Sequence, residues 1–359
     1  MLKKLDIYII KKFLGTFVFS IILIISLAIV IDLSEKIDSF IEKQIPLNEI
    51  IFDYYLNFIP YYTNLFLFLF VFVAVVFFTA KMAGQSEIIA ILGSGISFQR
   101  LMYPYFISAA VLAISSFFLS NFVIPPANKI RLEFEDTYIN GKYYNSDRNI
   151  HRQVSPGVFI YMESFNTLTN TGNKFSIEKF KGKELISKLV SKKVVWDSTK
   201  NKWTIYNYYI RDIRKNKDII KTGIKIDTSL NITPIDFQRR DTEKSKMDYF
   251  ELNEYIEEKR LRGESNINTY IIEKQQRIAF PFSTFILTLI GVSLASRKSK
   301  GGTGLKLGIG ILLSFVYIFL MQVTAQFSIK GGFSPVLAAW TPNIIFAVIA
   351  VFLYRIAPK

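Results

Sequence analysis

Residues 82–101 read MAGQSEIIAILGSGISFQRL and hold the few groups that could carry a chemical role. Glu87 is the one acid of the run, Gly93-Ser94-Gly95 interrupts it, and Arg100 follows. A short helix over 84–92 puts Glu87 in its first turn, where the helix dipole favours an acid. Its carboxylate would then be placed to pair with an arginine of another protein. A plain linker, with its Ile and Leu side chains resting on a membrane, is the competing reading. Periodicity alone does not choose between them.

Other sources of chemistry fail on composition or spacing. Gly301-Gly302-Thr303-Gly304-Leu305-Lys306 is glycine-rich and ends on a lysine, but it lacks the G-x-x-x-x-G-K-[ST] spacing and follows no strand. A flexible turn is the better reading. The chain has no Cys, which excludes a disulfide scaffold, a thiolate metal site and a Cys nucleophile. Its single His, His151, lies in a polar stretch, and metal sites need several ligands. We assign no catalytic residue, metal or cofactor.

The elements that position these groups follow from hydropathy. Half of the 359 residues are hydrophobic, with 33 Phe and 19 Tyr, which marks an integral membrane protein. Six stretches reach the roughly 20 apolar residues that a span requires. They are Phe13–Leu33, Phe58–Ala80, Leu101–Ile124, Ile278–Ala295, Leu305–Phe327 and Pro335–Tyr354. Ion coupling would need ionisable groups inside the membrane. The second, third, fourth and sixth stretches have none, and Asp32 and Lys306 sit at span ends. Gln322, Thr324 and Gln326 in the fifth stretch suit helix–helix hydrogen bonding. A proton- or sodium-driven carrier is therefore disfavoured. The formal charge of +15 does not indicate nucleic-acid binding, because the spans fix the chain in lipid and the excess is mostly lysine.

The short connections carry an uneven charge. Lys3, Lys4, Lys11, Lys12, Lys81, Arg100, Arg297, Lys298, Lys300, Lys306, Arg355 and Lys359 fall on one side, and Lys36, Lys43 and Lys330 on the other. That puts both termini and the 82–101 segment in the cytoplasm. The lysine pairs at the start suit an interfacial helix running into the first span. A signal peptide is the alternative, but Asp32-Leu33-Ser34-Glu35 makes a poor cleavage site, so a retained span is expected. The basic insert after the third span, with 27 Lys+Arg against 20 Asp+Glu over 125–270, is long enough to be exempt from the rule. It would lie in the periplasm of a cell with two membranes.

Within the insert the pattern changes to period two. Gly157–Met162 reads as a strand, and Val194–Asp197 and Trp203–Tyr208 as a hairpin around Ser198–Lys202. Gly223–Asp227 and Asn231–Phe237 read as shorter strands. Such a series suggests a sandwich or jelly roll. At Asp248 the spacing to Glu251 and the recurrence of Leu252, Tyr255 and Ile256 predict a helix that Gly263 closes. The expected fold is an α+β membrane protein: six transmembrane helices, three plus three, with a periplasmic β-jellyroll domain between spans three and four. The expected divisions are 1–124 with a coupling helix at 84–93, a β domain at 125–247, a linking helix at 248–270, and a second membrane half at 271–359.

A body with transporter-like spans but no nucleotide site and no ion path needs an external motor. The segment Gln85-Ser86-Glu87-Ile88-Ile89-Ala90 followed by Gly93-Ser94-Gly95-Ile96-Ser97 resembles the coupling-helix signature of the lipopolysaccharide-export permeases LptF and LptG. The resemblance covers nearly the whole chain. It includes Leu5–Ile9, Val123–Asn128, Val158–Ser164, Asn231–Pro234 and the Arg277…Pro281 start of the fourth span, and it leans towards LptG. It implies a non-catalytic permease of the bacterial inner membrane, paired with a second LptF or LptG paralogue on an LptB-type ATPase dimer. LptC, a periplasmic bridge protein and lipopolysaccharide would be its other partners. Lateral gates would involve the first and fifth spans. By position, Glu87 would ion-pair with the ATPase and Ile88, Ile91 and Leu92 would pack in its groove, with Ser86 and Gly95 as the other ATPase-coupling residues.

The fit is poorer outside the first span. Family members that bind lipid phosphates often carry cations there, but DLSEKIDSFIEK has four acids against Lys36 and Lys43. These two lysines are the phosphate-contact candidates, with a solvated amphipathic turn as the alternative. Two other functions remain open: a permease of another ABC-type lipid or lipoprotein release system, and a non-transporting membrane-anchored assembly factor.

Overall fold

The computed structural model describes residues 3–139, 148–213, 218–234, 237, 241–261, 267–297 and 302–357. Six helices in it are long and apolar enough to cross a membrane. In chain order, α1 is Lys4–Glu42, α2 Leu47–Gly84 and α4 Phe98–Ile139, with the short helix α3, Glu87–Gly93, between α2 and α4. The later ones are α6 at Ile267–Ala295, α7 at Gly302–Gly331 and α8 at Pro335–Ile356. Helix α5, Tyr249–Leu261, precedes α6 and is capped by Asp248, whose Oδ1 accepts the Phe250 N–H at 2.7 Å.

The helices outrun the apolar stretches because their flanking polar turns stay helical. Thirty-nine residues make α1, and at about 1.5 Å per residue it is roughly twice the ~30 Å hydrocarbon core. Helix α4 also continues past Ile124. A wide turn at Leu119–Val123 leads into Pro125-Pro126 at the start of the next helical segment, where proline's missing N–H costs least.

The chain forms two compact units: residues 1–139 with 245–250 and 268–359, and residues 140–244 with 251–267. The first boundary therefore falls after Ile139 and not after 124, because the third span's helix extends that far.

In the helical unit, Phe13, Phe78 and Tyr105 pack together, with the Phe78 and Tyr105 rings stacked at 5.2 Å. Gly291 of α6 lets that helix approach α2 closely: an added Cβ would lie 2.8 Å from Val75 Cγ1 and 3.1 Å from Phe72. Buried polar groups tie helices together. The Tyr317 hydroxyl donates to Asn343 Oδ1 at 2.8 Å, and Asn343 Nδ2 donates to the Ala279 carbonyl at 2.8 Å, joining α7, α8 and α6. Lys306 Nζ donates to the Ala295 carbonyl at 2.9 Å and to that of Arg297, closing the end of α6. The glycine-lysine loop over 298–301 lies outside the described residues.

The second unit holds a six-stranded antiparallel sheet whose strands neighbour one another in sequence order. They are β1 Arg148–Ser155, β2 Val158–Asn166, β3 Thr171–Lys181, β4 Glu184–Asp197, β5 Lys202–Asp212 and β6 Ile219–Thr228. This sheet, inserted between spans three and four, fits the expected β-jellyroll domain. The expected hairpin is present, with Trp196 paired to Trp203 and Asp197 to Lys202. Its turn is held by Asp197 Oδ1, which accepts the Thr199 N–H at 3.0 Å. Residues 231–234 are not a strand; the extended region ends at Thr228, and Trp203 Nε1 donates instead to the Ile232 carbonyl at 2.7 Å. Residues 235 and 236 of that predicted strand, and Gly263, lie outside the described residues. Met162, Phe175, Val194, Trp203 and Ile205 form the core on one face of the sheet.

Candidate functional site

Helix α2 ends at Gly84 and the backbone reverses at Ser86, whose φ of 62° is left-handed. The Ser86 N–H donates to the Ala83 carbonyl at 3.1 Å, and the Ser86 carbonyl accepts the Ala90 N–H at 3.0 Å, starting α3. Helix α3 ends in two cap bonds, from the Ser94 N–H to Ala90 (3.0 Å) and from the Gly95 N–H to Leu92 (3.1 Å). Gly95 has φ 87°, a conformation that glycine adopts at little cost. Ser97 then opens α4 by accepting the Arg100 N–H on Oγ at 3.2 Å. The glycines and serines of the motif thus define a separate short helix between two reversals.

That helix has two faces. Ile88 is 1 % exposed and belongs to the cluster of Ile9, Phe13, Met82, Phe98 and Leu101. Ile91 and Leu92, three and four positions on, are partly buried against the same cluster. The open face carries Ile89, 56 % exposed, and Ala90. The expectation that Ile88 enters a partner's groove is therefore corrected: its side chain already fills this chain's own core. The apolar i, i+3, i+4 stripe is the one a helix turns to its own bundle.

Glu87 is half-buried and accepts a hydrogen bond on Oε2 from the Tyr8 hydroxyl at 3.1 Å. Arg100 Nη1 and Nη2 donate to Asp6 Oδ1 and Oδ2, each at 2.7 Å. Asp6 is fully buried and also accepts the Lys3 N–H at 2.8 Å. Sequence reasoning did not find these two ties, which join positions 79 and 94 residues apart. One signal was available: Asp6 is the only acid before Asp32, and an acid among lysines at a helix start invites a search for its partner.

At the other end of α1 the structure places Lys36 in an ion-pair network. Its Nζ lies 2.8 Å from Asp32 Oδ1 and 3.6 Å from Glu135 Oε1, and it also donates to the Tyr54 hydroxyl. Tyr54 and Tyr55 donate to Asp32 at 3.0 and 3.3 Å, and Arg131 pairs with Glu135 at 3.1 Å. A phosphate approaching Lys36 would meet two carboxylates, so the expectation of a headgroup contact is corrected at this residue. The acids that weakened the sequence motif are those that hold the lysine. Lys43, just past the end of α1, is exposed.

The sheet unit contains a cavity of about 490 Å³ lined by Val154, Ile177, Leu189, Ile205, Ile210 and Ile226, with Ser155, Lys179 and Asp212 among its polar groups. Nothing in the linear pattern points to it, since its lining is contributed by all six strands. Among the described residues no group of three His, Cys, Asp or Glu side chains converges as a metal site would require.

Six apolar helices, a sheet domain between the third and fourth, and a short two-faced helix between the second and third define a multi-pass membrane permease body. The family described as lipopolysaccharide export system permease LptF/LptG matches residues 7–356, and the chain belongs to that family. Its members are permease components of lipopolysaccharide export, which fits a multi-pass inner-membrane location. No curated protein matches the chain.

Proposed function

We propose that this chain is the LptG-like permease of an ATP-driven lipopolysaccharide exporter, moved by a separate LptB-type ATPase dimer that docks on α3. The observation that carries this reading is the two-faced build of α3. Ile88 fixes the helix to the permease, Ile89 is left exposed, and the half-buried Glu87 stands in the first turn, held by the Tyr8 hydroxyl. A linker resting on lipid has no need of a buried anchor, two terminal reversals and a carboxylate. The lysine distribution supports a cytoplasmic position for α3 and both termini and a periplasmic one for the sheet unit. Within this reading Lys43 is the remaining phosphate-contact candidate outside the first span.

Helices α1 and α7 would line the lipid path and meet the second permease, LptF, with LptC at the gate. Only 17 % of the apolar window of α1 and 22 % of that of α7 is buried within this chain, against 61 % for α2 and α6. Lipopolysaccharide acyl chains would then pass the apolar cavity of the sheet unit towards a periplasmic bridge protein.

Charge reversal tests docking. Glu87→Lys is expected to block ATPase association or export while the protein inserts normally, and an opposite reversal on the ATPase is expected to restore it in part. Normal export by Glu87→Lys would remove Glu87 from the coupling contact.

A further inference from the structure

We propose that Asp6, Tyr8 and Arg100 are positioning residues that clamp the start of α1 to both flanks of α3, so that displacement of α3 is delivered directly to α1. The inference rests on the docking reading above and extends it to residues that the motif does not include. Helix α3 is joined by chain only to α2 and α4, so nothing in its connectivity links it to α1. The side chains supply that link. On one flank, Tyr8 donates to Glu87 at 3.1 Å. On the other, Arg100 closes a two-point fork on Asp6, each arm 2.7 Å long.

Such a fork resists sliding as well as separation, because both oxygens face a planar, rigid guanidinium. Arg100 is further steadied by the Tyr103 ring, 5.2 Å away. Beyond the two ties along α1, Ile9 and Phe13 are fully buried in the cluster that holds Ile88. The N-terminal turns of α1 are therefore fixed to the coupling segment at three places: Asp6, Tyr8 and the buried Ile9–Phe13 stripe. Yet α1 is the least buried of the six long helices along its apolar window. A helix held firmly at one end and packed lightly along its span moves with whatever holds that end. The buried acid also explains why Arg100 follows the glycine break: it opens α4 where the coupling segment ends.

The test compares full-length variants, assembled with the ATPase and the second permease in lipopolysaccharide-containing proteoliposomes, for association, ATP hydrolysis and lipopolysaccharide released per ATP. Asp6→Asn and Arg100→Lys are expected to retain association and hydrolysis but to lower release per ATP by about fivefold or more, the low end of site-to-site coupling. The exchange Asp6→Arg with Arg100→Asp is expected to recover part of the loss. Tyr8→Phe, which removes one hydroxyl from a ring 38 % exposed, is expected to lower the ratio without affecting insertion. If the parent complex releases no lipopolysaccharide, the exporter reading itself fails. If the parent works and the variants associate with an unchanged ratio, only the clamp is overturned. Loss of association together with release would assign the pair a purely structural role and also overturn it. Should the Asp6 and Arg100 variants fail to insert, Tyr8→Phe decides, and an unchanged ratio overturns the clamp.

Discussion

Truncating two adjacent isoleucines of α3 should have opposite consequences. Ile88 is 1 % exposed, and Ile88→Ala leaves a cavity among Phe13, Met82, Phe98 and Leu101. Core truncations of this size cost about 2–5 kcal/mol. The expected result is a clear fall in melting temperature of the detergent-solubilised chain, even without the ATPase. Ile89 keeps 56 % of its surface exposed. Full burial of an isoleucine is worth about 1.5–3 kcal/mol, so covering that remainder on docking contributes about 1–2 kcal/mol. Ile89→Ala should leave the melting temperature unchanged and weaken ATPase association roughly tenfold. Thermal unfolding of the free chain and titration with the purified ATPase read the two effects separately. If Ile88→Ala melts like the parent, or Ile89→Ala binds as tightly, the division of α3 into an anchoring face and a docking face is wrong.

Further outcomes follow from the packing. Gly291→Leu would drive a side chain into Val75 and Phe72 and is expected to destabilise the helical unit by about 1–3 kcal/mol or prevent its assembly, as read by melting in detergent. Trp203→Phe removes the donor to the buried Ile232 carbonyl and should cost about 1–3 kcal/mol in the sheet unit, seen as earlier proteolysis of that unit. Photo-crosslinkers along the exposed faces of α1 and α7 are expected to capture lipopolysaccharide, whereas labelling by phospholipid alone would oppose the proposed path. Asp227 is held below the ordinary aspartate range by its hydrogen bond from Thr204 and by Lys200. A depressed folded value makes its contribution present above about pH 3.9 and lost as pH falls through the folded value. Asp227→Asn should therefore flatten the acid branch of the sheet unit's stability against pH.

The six spans, the inserted sheet and the position of a short helix bounded by glycine are legible in the order of the residues. These depend on local quantities: runs of apolar residues, alternation of period two, and residues that tolerate left-handed backbone. Residues 194–208 illustrate the point, because alternation and an Asp-Ser-Thr turn sufficed to place the hairpin. Tertiary structure alone decided which way α3 faces, that Lys36 is paired rather than offered to solvent, and that Asp6 and Arg100 meet. Each of these depends on what a distant segment brings to the other side of a contact. An amphipathic stripe looks the same in sequence whether its own bundle or a partner covers it, and a charge gives no sign of the counter-charge 94 residues away that neutralises it.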